Sequence, residues 1–293
     1  MSQILRPLRA NLGTVAALGA GATLIYAFAK PKPATVFGGF SPQYLRLEAV
    51  EQLNHNTKLL RFAFPNPDDL SGLPLTSSIL TLAKPTTSNR LLPTLRPYTP
   101  LTTPSTRGHL DLLVKLYPGG PHSTHLHSLH PGDRLFFLNP LPNHPWQPGR
   151  YTRIACIAGG AGVTPMLQLV RGIVEGKEKT EVDVVVGVRE GRDVVMRREW
   201  GEVVERAGGR VRVWWVVGRG DGEEGDREGC VTAGLLRELG VDGGEEGGGG
   251  GQEMVFVCGP PGMEEMLVGK KGGGGGGGVL AELGFGKERV HRF

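Results

Sequence analysis

The stretch GGAGVTPM, Gly159 to Met166, follows the apolar run Ile154 to Ala158 and precedes Leu167, Gln168, Leu169 and Val170. The run reads as a buried strand, and Thr164 and Pro165 read as the cap and first residue of a helix. Gly159, Gly160 and Gly162 would let backbone N–H groups approach an anion, and a helix N-terminus adds a favourable dipole, so the turn suits a phosphate. A tight turn without a ligand fits these residues equally well. The GxGxxG spacing is incomplete and no GK[ST] follows.

Working outward from this turn, two patterns divide the chain near Arg150. On the carboxyl side, apolar strands at Ile154–Ala158, Val182–Val188, Val211–Val217 and Met254–Cys258 alternate with helical stretches near Pro165–Glu175, Val194–Arg206, Ala233–Leu239 and Gly262–Val268. Such alternation predicts a parallel sheet with right-handed crossovers, and the opening stretch is its first strand-to-helix turn, where open α/β sheets bind nucleotides. On the amino side, short strands at Tyr44–Val50, Lys58–Phe64, Ser78–Ala83, Leu110–Leu116 and Arg134–Leu138 are punctuated by proline and glycine. They predict an antiparallel barrel or sandwich.

With 293 residues, 39% of them hydrophobic and 21% charged, the chain can build two globular cores. Its 47 glycines are the anomaly, and many fall in the tracts 247–251 and 272–278, which read as flexible surface loops. Cys156, Cys230 and Cys258 are odd in number and far apart, which argues against a disulfide framework or a CxxC metal site. Lys and Arg outnumber Asp and Glu by 14 to 6 through residue 150 and trail by 19 to 23 beyond it. The basic excess suits an anionic cofactor or an acidic protein partner and is too diffuse for nucleic acid.

The amino terminus has no acidic residue before Glu48. Arg6 and Arg9 lie in a basic segment, 1–9, ahead of an uncharged run at 10–29, and Lys30 to Pro33 begin a stiff linker assigned to 30–39. About 20 helical residues can cross a bilayer core of about 30 Å. A cleaved secretory or transit peptide is the rival reading. The absence of a clear small-residue cleavage site favours a retained single-pass transmembrane helix, and the Arg-bearing, acid-free start points to a mitochondrial membrane, expected to be the outer one.

Three further fragments give the phosphate reading its content: RPYTPLT at Arg96–Thr102, LLVKLYPGGPHSTHL at Leu112–Leu126 and VFVCGPPGM at Val255–Met263. In this order, with the barrel first, they resemble the ferredoxin-reductase-type flavoprotein family. EQLNHNTKLLRF, SGLP and the final aromatic after LGFGKERV extend the resemblance over 40–293. It implies a six-stranded antiparallel FAD-binding barrel at 40–149, followed by a nucleotide-binding α/β domain at 150–293. It also implies hydride transfer from NADH to flavin N5, and single-electron transfer to cytochrome b5 or a similar acidic haem protein by a monomeric chain.

The resemblance assigns roles residue by residue. Arg96 would grip the FAD pyrophosphate, since a guanidinium can hold two phosphate oxygens at once. Pro97 belongs to the same segment, Tyr98 would pack on the flavin, and Thr99 would offer its hydroxyl near N5. Val114, Lys115 and Tyr117 would meet the cofactor, and Gly120, His122 and Ser123 would cap its pyrophosphate. Gly159, Gly160, Gly162, Thr164 and Pro165 would receive the nicotinamide nucleotide together with Cys258, Gly259, Pro260 and Pro261. The Cys258 thiol would act by position rather than as a nucleophile, and Phe293 is the family's terminal aromatic. His55 would pass a proton to the flavin through Thr99.

Plain strand packing for Tyr98 and Tyr117, a buried structural thiol for Cys258 and a surface imidazole for His55 remain the alternatives. His122, His125, His127 and His130 match no metal-binding pattern, and no metal is expected.

The chain departs from the family's pattern in places. Ala161 replaces a threonine whose hydroxyl would face the cofactors, which should slow hydride transfer without abolishing it, and Asn139 precedes Pro140 where Gly is usual. Gly218, followed by Arg219, stands where a carboxylate usually repels the extra phosphate of NADP, so NADPH is expected to be used better than in typical relatives. A related FAD reductase with another acceptor, such as a quinone, and a membrane-tethered module that has lost FAD are the alternative functions.

Overall fold

The computed structural model describes residues 33–83, 93–243, 252–270 and 277–293. The expected transmembrane run at 10–29, its basic flank, the tract 247–251 and most of the tract 272–278 lie outside the described residues. No helix among the described residues is long and apolar enough to cross a membrane.

A compact unit extends from Thr35 to Phe293. Its first residues are part of the fold and not of a linker reaching to 39. The Val36 and Phe37 N–H groups donate to the Leu70 and Ser71 carbonyls at 2.9 Å, and Phe37 is buried against Phe64 and Phe137. A single aromatic outside any alternation carries no periodic signal, which is why this segment reads as a linker in the sequence.

The first sheet comprises β1 (Gln43–Asn54), β2 (Thr57–Ala63), β3 (Ser78–Ala83), β4 (Thr94–Tyr98), β5 (His109–Lys115) and β6 (Arg134–Leu141). They pair antiparallel in the order β4-β3-β6-β1-β2-β5. Period-two alternation turns Leu45 and Leu47 of β1, Leu60 and Phe62 of β2, and Leu110, Leu112 and Val114 of β5 into one core. Among the described residues, strands β4 and β5 end the sheet with no ladder between them, so hydrogen bonds between these strands do not close the expected barrel. A short helix, α1 (Pro121–His127), packs on β3, β4 and β5 and buries Leu126 in the same core, filling the opening. Because β4 is an edge strand, Pro97 sits within it without leaving an inner ladder unpaired.

The second sheet is parallel, in the order β10-β9-β8-β7-β11-β12. Its strands are β7 (Tyr151–Gly159), β8 (Glu181–Val188), β9 (Val211–Val217), β10 (Arg227–Glu228), β11 (Gln252–Cys258) and β12 (Val290–Arg292). Helices α2 (Val163–Glu175), α3 (Arg197–Ala207), α4 (Ala233–Glu238), α5 (Pro261–Val268) and α6 (Val279–Glu282) complete it. The chain builds outward from β7 through β8, β9 and β10 and then returns to place β11 on β7's other side. This reversal makes the carboxyl ends of β7 and β11 the topological switch point, where such sheets hold nucleotides.

Helix α2 couples the two sheets. Buried Gln168 accepts from the Thr76 N–H at 2.8 Å and donates to the Thr102 carbonyl at 3.2 Å, while Arg171 donates to the Leu101 carbonyl at 3.1 Å. Leu75 packs where a Cβ on Gly172 would stand. Leu101 and Leu113 from the first half share a core with Met166, Leu169, Val170 and Ile173 of α2.

Candidate active site

The three glycines of the opening turn have different reasons for being glycine. A Cβ on Gly162 would collide with the Cys258 carbonyl at the end of β11, and one on Gly159 would meet the Met263 sulfur at 2.5 Å. Gly160 alone needs its positive φ of 53°, and it faces open space, with the Lys115 ammonium 4.0 Å from where a Cβ would stand. Two glycines thus draw the turn onto β11, and the third leaves an open approach at the switch point. Thr164 does not cap the helix as expected: Gly162 is the N-cap, and the Thr164 hydroxyl donates back to the Ala161 carbonyl at 3.1 Å. Pro165 lies in the first turn, where a missing N–H leaves no intrahelical bond unmade.

Strand β4 carries the first of the residues expected to meet the flavin. The Arg96 guanidinium is exposed and donates only to the Leu95 carbonyl, at 2.8 Å, with no carboxylate partner among the described residues. The Tyr98 ring stacks on His122, centroids 5.7 Å apart and planes inclined by 30°. His122 is 4% exposed. Its Nδ1–H donates to the Thr94 carbonyl at 3.1 Å and its Nε2 accepts from the Thr81 hydroxyl at 2.8 Å, a pattern a neutral ring satisfies. Burial lowers its pKa to about 4.

The His122 side chain is therefore a buried support for Tyr98, with both ring nitrogens engaged within the protein. The Ser123 hydroxyl is likewise engaged: it accepts from the Tyr117 N–H at 3.2 Å and donates to the Gly120 carbonyl at 3.1 Å. The Gly120 N–H is itself held by the Tyr117 carbonyl at 2.9 Å. Val114 is fully buried, and its carbonyl accepts from His127 Nε2 at 2.8 Å, so neither group is free for a cofactor.

Tyr117 is 54% exposed, and Cys258 ends β11. Burial raises the pKa of both tyrosines, and each also responds to its neighbour's charge, Tyr98 to Tyr117 and Tyr117 to Cys258. Burial and the Glu264 carboxylate push the Cys258 thiol up to about 12. It stays protonated at neutral pH, which suits a positional role and not a nucleophilic one. Glu264 also accepts from the Gly259 N–H at 3.2 Å and pairs with Arg292 at 3.7 Å, holding the turn through Pro260 and Pro261. Phe293 follows β12; its N–H donates to the Val257 carbonyl at 3.1 Å, and its ring packs on Phe256 and His291.

His55 and Thr99 do not share a hydrogen bond. The His55 ring meets Asn56 at 2.9 Å and lies 4.0 Å from Asp193, while the Thr99 hydroxyl pairs with Ser78 at 2.9 Å. The site instead contains a pair the sequence did not announce, Lys115 with Asp193 at 3.1 Å. With the Asn54 amide donating to the Arg192 carbonyl at 3.0 Å, it ties the β1–β2 hairpin and β5 to the turn after β8. No motif links these residues, since 78 positions separate Lys115 from Asp193.

The groups present fit a dinucleotide flavin and a nicotinamide nucleotide. An unpaired guanidinium on an edge strand can take a diphosphate, a tyrosine face supported by a buried ring can take an isoalloxazine, and the open Gly160 turn can take the second nucleotide.

Comparison with known proteins agrees with this geometry. Residues 44–145 match the family model of the oxidoreductase FAD-binding domain, and residues 156–268 match that of the oxidoreductase NAD-binding domain. NADH-cytochrome b5 reductase 2 of Ajellomyces capsulatus is 39% identical over 235 residues, which is 76% of this chain and 72% of that protein. The protein of the same name from Neurospora crassa is 42% identical over 196 residues, covering 67% of this chain and 57% of its own length. The chain thus spans less than two thirds of some of the curated relatives it matches. Among solved structures, the cytochrome b5 reductase domain of Ulva prolifera nitrate reductase superposes with a TM-score of 0.72 at 24% identity, over 89% of this chain and all of that one. At that identity the likeness bears on the fold.

Proposed function

Because the chain belongs to the NADH-cytochrome b5 reductase family of FAD- and NAD-binding oxidoreductases, we propose that it passes electrons from NADH through FAD to cytochrome b5 or a similar acidic haem protein. The observation that carries this reading is that strand β5 of the first sheet reaches the glycine turn of the second: the Lys115 ammonium stands 4.0 Å from where a Cβ on Gly160 would be and pairs with Asp193 at 3.1 Å. FAD, when bound, supplies the conversion of a two-electron donor into single electrons.

The chain's part is to bind and align. Arg96 holds the diphosphate, Tyr98 supports the flavin face from its stack on His122, and the Gly160 turn admits the nicotinamide nucleotide beside Cys258. The Cys258 thiol remains a neutral contact. Thr99 is bonded to Ser78 and His55 to Asn56, so a relay from His55 through Thr99 would require the two side chains to come together when the flavin is bound. The Lys115–Asp193 pair keeps the two walls of the cleft in register. Segment 10–29 tethers the enzyme to a mitochondrial membrane in this proposal, a reading that rests on its composition.

Anaerobic mixing of FAD-loaded protein with NADH, followed by oxidised cytochrome b5, tests the proposal. The expected result is loss of the flavin visible band, then its return as the haem is reduced. Stoichiometric flavin that NADH does not bleach would overturn the reading. Reduction by NADH with transfer to a quinone and none to the haem would replace the acceptor.

A further inference from the structure

Strands β8 and β9 are neighbours, and their carboxyl ends bring together two arginines from different parts of the sequence. The Gly218 N–H donates to the Val188 carbonyl at 3.0 Å, and a Cβ on Gly218 would stand 3.1 Å from the Arg189 carbonyl. Arg189 and Arg219 therefore flank the same ladder end. Both are exposed, and neither forms an ion pair among the described residues.

Several carboxylates of the surrounding loops are engaged by other groups. Glu190 pairs with Arg192 at 2.6 Å, Asp221 accepts from the Gly191 N–H at 2.7 Å, and Asp226 binds Arg197 at 2.8 Å. Among the described residues Asp221, Glu224 and Glu228 form no ion pair, and Glu228 lies 3.7 Å from where a Cβ on Gly220 would be.

We infer that Arg189 and Arg219 form a subsite for a phosphate at the 2′ position of the nucleotide's adenine ribose, so that NADPH serves as a substrate beside NADH. This rests on the proposed nucleotide-reductase reading. In nucleotide-binding parallel sheets, the end of the second strand meets the ribose. A carboxylate there accepts from the 2′-hydroxyl, and an arginine accommodates a 2′-phosphate. Here β8 is that second strand and Arg189 follows its last residue. Gly218 contributes no carboxylate to repel the added charge, and Arg219 adds a second guanidinium that can bind phosphate oxygens in a fork.

The test uses the FAD-loaded full chain. Calorimetric titration with 2′,5′-ADP and 5′-AMP reads the subsite directly, and kcat/KM for NADPH and NADH reads its use. Tighter binding of 2′,5′-ADP by about 10-fold or more is expected, the increment of one charge-assisted hydrogen bond. The double variant Arg189→Ala with Arg219→Ala should remove that difference and lower the NADPH-to-NADH ratio by a similar factor. Gly218→Asp should lower the ratio too, with both arginines intact.

Equal binding of the two adenosine phosphates, or a preference that survives the double variant, overturns the subsite. Failure of NADH itself to bleach the flavin would instead sink the reductase reading, and the calorimetry separates the two failures.

Discussion

His122 is one side chain whose environment reassigns it. In the sequence it belongs to a run of four histidines beside a glycine pair; in the fold it is a buried, neutral ring beneath Tyr98, bonded on both nitrogens. Its pKa of about 4 lies below the ordinary 6.5, so the unfolded chain takes up a proton that the folded one refuses between those values. Stability is complete above pH 6.5 and falls as pH drops through this window, by up to about 1.4 kcal/mol per pH unit for one proton. His127, His144 and His291 are shifted the same way by burial and steepen the fall. Urea midpoints at pH 7, 6 and 5 should decline, and His122→Asn should show a shallower decline from a lower starting stability. An unchanged slope in that variant would mean the ring is protonated in the native state.

At the scale of the element, the turn from β7 into α2 explains both what its glycines do and what a local pattern misreads. Thr164 and Pro165 resemble a cap and first helical residue because the cap preference is a local statistic. The helix begins earlier because Gly162, pressed onto the β11 carbonyl, already takes helical backbone angles. Gly160→Ala should cost about 1–2 kcal/mol, the strain of a left-handed residue in open space. Gly162→Ala should cost more, because the end of β11 must move, and it should also displace Cys258. Denaturant midpoints rank the two, and nucleotide-driven bleaching of the flavin reports the displacement. A Gly162 variant as stable as the Gly160 variant would show that the strand end yields freely. Pro97 is the corresponding lesson in β4: its place in a strand follows from β4 lying at the sheet's edge, a position that propensity does not report.

For the whole molecule, the cleft depends on how α2 seats against the first sheet. Gln168 is 1% exposed and supplies partners to both the Thr76 N–H and the Thr102 carbonyl, so Gln168→Ala leaves a buried N–H and a half-buried carbonyl unpaired. The expected loss is about 1–3 kcal/mol. Because Arg96 and Tyr98 are untouched, FAD should remain bound while reduction by NADH slows. Thermal unfolding, flavin content and stopped-flow bleaching measure the three effects, and an unaltered bleaching rate would separate the cleft's geometry from this contact.

Much of this organisation was legible in the sequence. Alternation of period two marked most strands of the first sheet, the apolar runs marked the main strands of the second, and the ordered fragments around Arg96, Lys115, Gly160 and Cys258 marked the FAD- and NAD-binding domains. Those signals are local, because backbone geometry sets their periods and a short motif needs only its own turn. The tertiary structure alone decided that a helix rather than a ladder fills the gap between β4 and β5, that His122 lies under Tyr98, that Lys115 meets Asp193, and that Arg189 stands at the same strand ends as Arg219. These contacts join residues far apart in the chain, and only strand order and the packing of helices onto both sheets bring them within reach of one another.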